Sequence, residues 1–426
     1  RKERFGFENV DFVNPPQWNR DNPPQEMQII YDPAFQEWVD FRCQLMADAL
    51  QQMYELAMSL NPEVVLEINP GGITGENRTW ESGVDHSRLL KFTETFWSEE
   101  DDMPAYHADG RLVTKIRSYK LARTYSNVLF TYIADHPLYL AEALAFNQTL
   151  GYVGTNPISA TTQEYIDFYR KNRESYENSV DFSNVAILRS YASLTYNNAA
   201  AQLCAILVEQ TLIQAHIPFD LIFDDGLKNM AKYKVLILPN SECLSDEQIA
   251  MIRRFVEGGG GLVVIGQTGL YDEWRRVRVT PGLTGLVDKQ APASDYQEEV
   301  KSSAAPAGIS SRKQVGRGRV AYLSAVEFDG AMPPATPGFA ITNEFWKLPK
   351  NWKEVAGQIH WAAEDQIPLL IDGPEFLVAN CTSQLQNRRI LIHLVNYDVT
   401  KTPTIPAIQV SAALPEKRTA IKVTAL

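Results

Sequence analysis

The chain has 426 residues, with 40 Lys and Arg against 52 Asp and Glu, a formal net charge of −12. At roughly 150 residues per domain this length predicts about three domains, and 45% hydrophobic with 22% charged residues is ordinary globular composition. So acidic a balance excludes a general nucleic-acid binder, and no apolar run approaches the roughly 18 residues that a membrane span requires.

Residues 8–31 are rich in Asn, Pro and Gln and read as a loop. Asp32 and Pro33 then start a helix. It carries Phe35, Trp38, Val39, Leu45, Met46, Leu50, Met53 and Leu56 at three-to-four spacing until Asn61-Pro62 stops it. Val64-Val65-Leu66-Glu67-Ile68-Asn69 reads as a buried strand, and residues 89–94 as a second strand ending in Glu94. Residues 113–124 read as helix, 127–133 as a third strand, 138–146 as helix and 150–153 as strand. Such alternation over short connections is the pattern of parallel α/β structure, here with about four repeats, half of an eight-stranded barrel or one small open sheet.

A polar helix at 163–178 leads to a second α/β unit, with strands at 184–188, 219–223, 234–238 and 262–265. Helices at 197–214 and 245–257 separate them. Gly258-Gly259-Gly260-Gly261 follows a helix and precedes a strand, the ordinary helix-stop turn. A phosphate loop has the opposite polarity. Pro- and Gly-rich residues 330–340 read as a linker, and alternating runs at 376–379, 389–396 and 408–413 as a small antiparallel β-domain. The expected division is 1–180, 181–335 and 336–426.

Cys43, Cys204, Cys243 and Cys381 form neither a CxxC pair nor a disulfide framework. His107, His136, His216, His360 and His393 are scattered without metal-ligand spacing, so no metal or cofactor is expected. The chain opens Arg1-Lys2-Glu3-Arg4 and closes on strand-like Lys422-Val423-Thr424-Ala425-Leu426. Both ends read as cut from a longer protein, which leaves the cellular compartment unassigned.

Val185-Ala186-Ile187-Leu188, Asp220-Leu221-Ile222, Val235-Leu236-Ile237-Leu238-Pro239, the four glycines and Gly269-Leu270-Tyr271-Asp272-Glu273 carry a family resemblance. They resemble the trimerisation domain of family 42 β-galactosidases, which is similar to class I glutamine amidotransferases. The amidotransferase elbow would fall at Gly266-Gln267-Thr268-Gly269, which has no Cys, so the unit is expected to serve packing and association. Arg4-Phe5-Gly6-Phe7, Asp32-Pro33, Glu37-Trp38, Phe41-Arg42, Asn61-Pro62 and Glu94-Thr95-Phe96 resemble the C-terminal half of the barrel in glycosidases of that type. The resemblance implies an α/β multidomain protein: a (β/α)8 TIM-barrel portion, a flavodoxin-like domain and a C-terminal β-sandwich. It also implies a carbohydrate substrate and a trimer or dimer. Barrel strands one to four, with the acid/base Glu, would lie upstream of Arg1, and the nucleophile would fall in Leu129-Phe130-Thr131-Tyr132-Ile133, which holds no carboxylate.

Glycoside hydrolysis generally uses two carboxyls, and barrel sites lie at the C-terminal ends of strands. Glu94, read as a strand end, is therefore the expected catalytic carboxylate. Asn69 and Glu67 share one side of their strand, with Asn69 nearer the mouth and Glu67 buried below it. Trp80 and Trp97, read after strand ends, either stack on sugar rings or pack in the core. Asp85 precedes the Glu94 strand, and Tyr132 ends the third. A glycoside hydrolase and a non-catalytic carbohydrate-binding or scaffold protein both remain open, and an α/β transferase built on residues 184–275 is a third reading.

Overall fold

The computed structural model describes residues 29–30, 33–75, 78–99, 103–107, 111–131, 135–151, 157–288, 290, 310–330, 342–398, 404–405 and 407–414. Helix α1 (Pro33–Leu60) begins on Pro33, whose fixed φ suits a first turn; Asp32, its expected cap, lies outside the described residues. Val39, Asp40, Cys43 and Ala47 form its buried stripe, while Phe41, Leu45, Met53, Leu56 and Leu60 stay exposed.

The chain continues through β1 (Glu67–Ile68), the short helices α2 (Arg78–Ser82) and α3 (His86–Leu89), and β2 (Thr95–Ser98). An antiparallel pair, β3 (Ala105–Tyr106) and β4 (Leu112–Val113), precedes α4 (Arg117–Thr124), β5 (Val128–Thr131) and α5 (Pro137–Asn147). β1, β2 and β5 form one parallel sheet in that order, with Thr95 beside both Glu67 and Val128.

The strand expected at residues 89–94 is not there. Asp85 caps α3 by accepting the Ser87 N–H at 2.9 Å, and a 3-10 turn over Leu90–Phe92 follows. The cap fixes a helical start, and Leu89 and Leu90 are buried from that turn. The strand begins only at Thr95, which leaves Glu94 before it rather than at its far end.

Helices α6 (Ala160–Lys171) and α7 (Arg173–Tyr176) and the short β6 (Val180–Asp181) connect to the second unit. It contains β7 (Val185–Arg189), α8 (Tyr191–Tyr196), α9 (Asn198–Gln214), β8 (Asp220–Phe223), a 3-10 stretch (Asp224–Lys232), β9 (Val235–Pro239), α10 (Asp246–Glu257) and β10 (Gly261–Ile265). With β11 (Ser310–Val315) and β12 (Gly318–Leu323) these strands form a six-stranded sheet, order β11-β12-β10-β9-β7-β8, parallel except at the edge strand β11. Burial of both faces accounts for the nearly unbroken apolar strands. Val185 and Ile187 join one cluster with Val208 and Leu212 of α9, while Ala186 and Leu188 join another with Ile249 and Ile252 of α10.

Helix α11 (Trp352–Ala362) precedes β13 (Leu369–Asp372), β14 (Leu377–Gln384), β15 (Arg389–Asn396) and β16 (Gln409–Ala412). They make two small antiparallel sheets, β13 with β16 and β15-β14-β6, the second recruiting β6 from the connector. Gly261 opens β10 directly under α11; a Cβ there would stand 2.2 Å from the Ala362 carbonyl oxygen.

One apolar cluster runs through all of these parts, from Phe96 and Leu129 through Ile187 and Val235 to Val378 and Tyr397. Buried polar groups cross the same seams. Lys120 of α4 bonds Asp181 at 2.8 Å and Asn380 at 3.0 Å, and the Asn380 amide donates to the Ala145 carbonyl at 2.8 Å. Arg117 grips Glu209 of α9 through Nε and Nη2 at 2.8 and 2.7 Å, and its Nη1 reaches Gln202 at 2.7 Å and the Thr74 carbonyl at 2.9 Å. Among the described residues no helix is long and apolar enough to cross a membrane.

Candidate functional site

Parallel strands bring their C-terminal ends to one rim, and side chains two residues apart share a face. Glu67 and Asn69 therefore lie on one side of β1, and the register places Trp97 of β2 beside Phe130 of β5 on that same side. The opposite side carries Phe96 and Leu129, fully buried against the helices. Trp97 and Phe130 are half-buried, while Glu67 and Asn69 are exposed.

Two expectations change here. Glu67 is exposed rather than buried low in a lumen, because β1 pairs only with β2 among the described residues. Trp97 lies within β2 rather than after it. Tyr132 lies outside the described residues. Phe130 was not singled out from the sequence, where Val128-Leu129-Phe130 is an unbroken apolar run that does not tell one face from the other.

Glu94 occupies the opposite end of the sheet from the rim. Its Oε2 accepts the Leu66 N–H at 2.8 Å, and the Glu94 carbonyl accepts the Val128 N–H at 2.9 Å. The carboxylate thus ties together the starts of neighbouring strands, so its expected position at the barrel mouth is corrected.

Trp80 is buried in a cluster with Cys43, Tyr196 and Tyr271, its ring tilted against Phe35 at 6.5 Å. Its place after a strand end is not found; it sits on α2, in core. Asp85 is buried as well. Besides capping α3 it pairs with Arg88 at 2.8 Å, and Arg88 reaches Asp40 of α1 at 2.6 Å and lies over the Tyr191 ring at 4.8 Å.

This Arg88 junction extends into the second unit, and sequence spacing gave no sign of it. At the end of β8, Asp224 accepts the Tyr191 N–H at 2.9 Å, and Asp225 pairs with Lys91 at 2.8 Å and accepts the Tyr125 hydroxyl at 3.2 Å. Burial above all, then the Asp85 and Asp225 carboxylates, pushes the Asp224 carboxyl up to about 7, against the opposing pull of the Tyr191 N–H and Arg88. Burial and Asp225 also raise the Tyr125 phenol.

The rim of the six-stranded sheet is filled by a second buried network. Glu242 accepts from Arg275 at 3.0 Å and from Asn197 at 2.9 Å, and the Gln267 N–H after β10 donates to Asn240 Oδ1 at 2.9 Å. Cys243 is fully buried, and burial with the neighbouring Glu242 carboxylate holds its thiol well above the usual range. A protonated, enclosed thiol is a poor nucleophile. Among the described residues no group of three or more His, Cys, Asp or Glu could hold a metal ion.

Residues 210–291 match the family model described as the beta-galactosidase trimerisation domain. No curated protein matches the chain in sequence. Among solved structures, the chain is similar to the β-galactosidase from Rahnella sp. R3, at 13% identity and a TM-score of 0.61, over 89% of this chain and 66% of that one. It is similar to the GH42 β-galactosidase Gan42B, at 14% identity and 0.55, over 82% and 61%. It is also similar to the GH42 exo-carrageenase from Bacteroides ovatus, at 12% and 0.56, over 91% and 52%. The fold is thus similar to that of family 42 glycoside hydrolases, which are multidomain TIM-barrel proteins of mixed α/β content. The chain spans less than two thirds of the length of each of these three structures.

Proposed function

We propose that the protein is a β-galactosidase-related glycoside hydrolase acting on O-glycosidic bonds, with sugar held against the face bearing Glu67, Asn69, Trp97 and Phe130. The observation that carries this reading is the register of β2 and β5, which sets two half-buried aromatic rings side by side next to an exposed amide and carboxylate. Aromatic faces stack on the apolar faces of sugar rings, while amide and carboxylate groups take their hydroxyls. The family 42 fold supports a carbohydrate substrate. In this proposal Glu67 is the carboxylate that faces the anomeric carbon, and Glu94 keeps the strand starts together.

Hydrolysis generally requires a second carboxyl at roughly 5–10 Å. Among the described residues of β1, β2 and β5, Glu67 is the only carboxylate on this face. That observation favours the second reading, a carbohydrate-binding protein without hydrolysis. We also infer that the protein self-associates through the segment 210–291, as a closed symmetric assembly, the common outcome for soluble oligomers.

A panel of aryl glycosides assayed with the longest natural form separates these readings. Hydrolysis by wild type, lost by roughly 100-fold in Glu67→Gln and kept within about tenfold in Glu94→Gln, is the expected result. Trp97→Ala should raise KM more than it lowers kcat. Saccharide binding without turnover establishes the binding reading, and a Glu94→Gln protein that is folded but inactive returns the catalytic role to Glu94.

A further inference from the structure

Asn69 leads directly into a loop, residues 70–75, that contains neither helix nor strand. Gly71 and Gly72 stand in the left-handed region, with φ 59° and 71°, and turn the chain inward from the rim. Beyond them Ile73 is fully buried in the main apolar cluster, and Thr74 and Gly75 are buried with it. Irregular backbone taken out of water needs partners for its carbonyls, and two side chains supply them. His86, at the start of α3, donates from Nε2 to the Gly71 carbonyl at 2.7 Å. Arg117, at the start of α4, donates from Nη1 to the Thr74 carbonyl at 2.9 Å. The same guanidinium is gripped from its other edge by Glu209 of the second unit, through Nε and Nη2. A guanidinium is planar, so this two-point grip fixes the direction in which Nη1 points.

We propose that His86 and Arg117 are positioning residues for the sugar face, and that the second unit sets the loop behind Asn69 through Glu209. The proposal rests on the reading of that face given above and adds the residues that hold it in shape. A side chain that takes sugar hydroxyls is only as well placed as the backbone carrying it. A loop that holds its shape for part of the time weakens apparent binding by that fraction. An apolar pair in place of Arg117 and Glu209 would pack α4 on α9 equally well. The guanidinium does one thing more, since it also carries a donor to a fixed point under the loop. The second unit is thereby joined to the sugar face by three groups in series: Glu209, Arg117 and the Thr74 carbonyl.

The test takes two readouts on the longest natural form, with folding checked by the urea midpoint. Hydrogen exchange over residues 72–75 should quicken at least about tenfold in His86→Leu and in the double variant Arg117→Met with Glu209→Leu, while β9 keeps its wild-type rates. On a panel of p-nitrophenyl glycosides the same two proteins should show KM raised at least about fivefold, with kcat within about twofold. Where there is binding without turnover, Kd replaces KM. His86→Gln keeps an N–H donor of similar reach and should behave as wild type. A merely structural role lowers the urea midpoint and leaves KM unchanged. That result, or unchanged exchange over 72–75, overturns the positioning role alone. Should the double variant fail to fold, the contrast between His86→Leu and His86→Gln decides the matter. A folded wild type that neither binds nor cleaves any of the glycosides overturns the proposed function itself.

Discussion

The Glu94 carboxylate accepts the backbone N–H of Leu66 at 2.8 Å, joining the residue before β2 to the residue before β1. The bond reinforces the backbone contacts at the same point, where the Glu94 and Thr95 N–H groups both donate to the Leu66 carbonyl at 3.2 Å. A hydrogen bond to a charged acceptor contributes about 1.5–3 kcal/mol when well sheltered, less where water competes. Glu94 is half-buried, so Glu94→Ala should cost about 1–2 kcal/mol in urea unfolding, and Glu94→Gln, which keeps an acceptor oxygen, clearly less. A fully stable Glu94→Ala protein would remove this structural role.

Arg117 and Glu209 form a bidentate pair with side chains 0% and 1% exposed. Removing one partner leaves the other charge buried and uncompensated, a loss of about 3–5 kcal/mol, whereas replacing both with apolar residues is far milder. Glu209→Ala should therefore lower the urea midpoint strongly. The double variant Arg117→Met with Glu209→Leu should recover most of that loss, and a double variant as unstable as the single one contradicts this account.

Two groups give stability opposite dependences on pH. Burial lowers His393 from 6.5 to about 4, so between those values the unfolded chain binds a proton that the folded one refuses. Its contribution is complete above the unfolded value and is lost as pH falls towards 4, by up to about 3 kcal/mol at roughly 1.4 kcal/mol per unit. Asp224 is raised from 3.8 to about 7, so its contribution is complete below 3.8 and is lost as pH rises through 7. Asp224→Asn should be more stable than wild type at pH 8 and similar at pH 4, and His393→Phe should flatten the acid limb. Unfolding free energies measured from pH 4 to 8 test both signs.

The second unit was legible because its strands are buried on both faces and written almost wholly in apolar residues, as in Val235-Leu236-Ile237-Leu238. The first part was harder. Leu89-Leu90-Lys91-Phe92 fits a short strand or a helical turn equally well by pattern, and the Asp85 cap decides between them. The shift of the strand from 89–94 to Thr95–Ser98 moved Glu94 from one end of the sheet to the other. Arg117 and Glu209, 92 residues apart, and Arg88 with Tyr191 meet only in the folded chain, so no local pattern announces them.

Helix α4 is eight residues long, yet it is fastened to the connector, the second unit and the C-terminal sheet. Arg117 holds α9, Lys120 holds Asp181 and Asn380, and Thr124 donates to the Leu221 carbonyl at 2.9 Å. Ties in three directions from one short rod leave no free axis about which the parallel strands can swing against the sheet behind them.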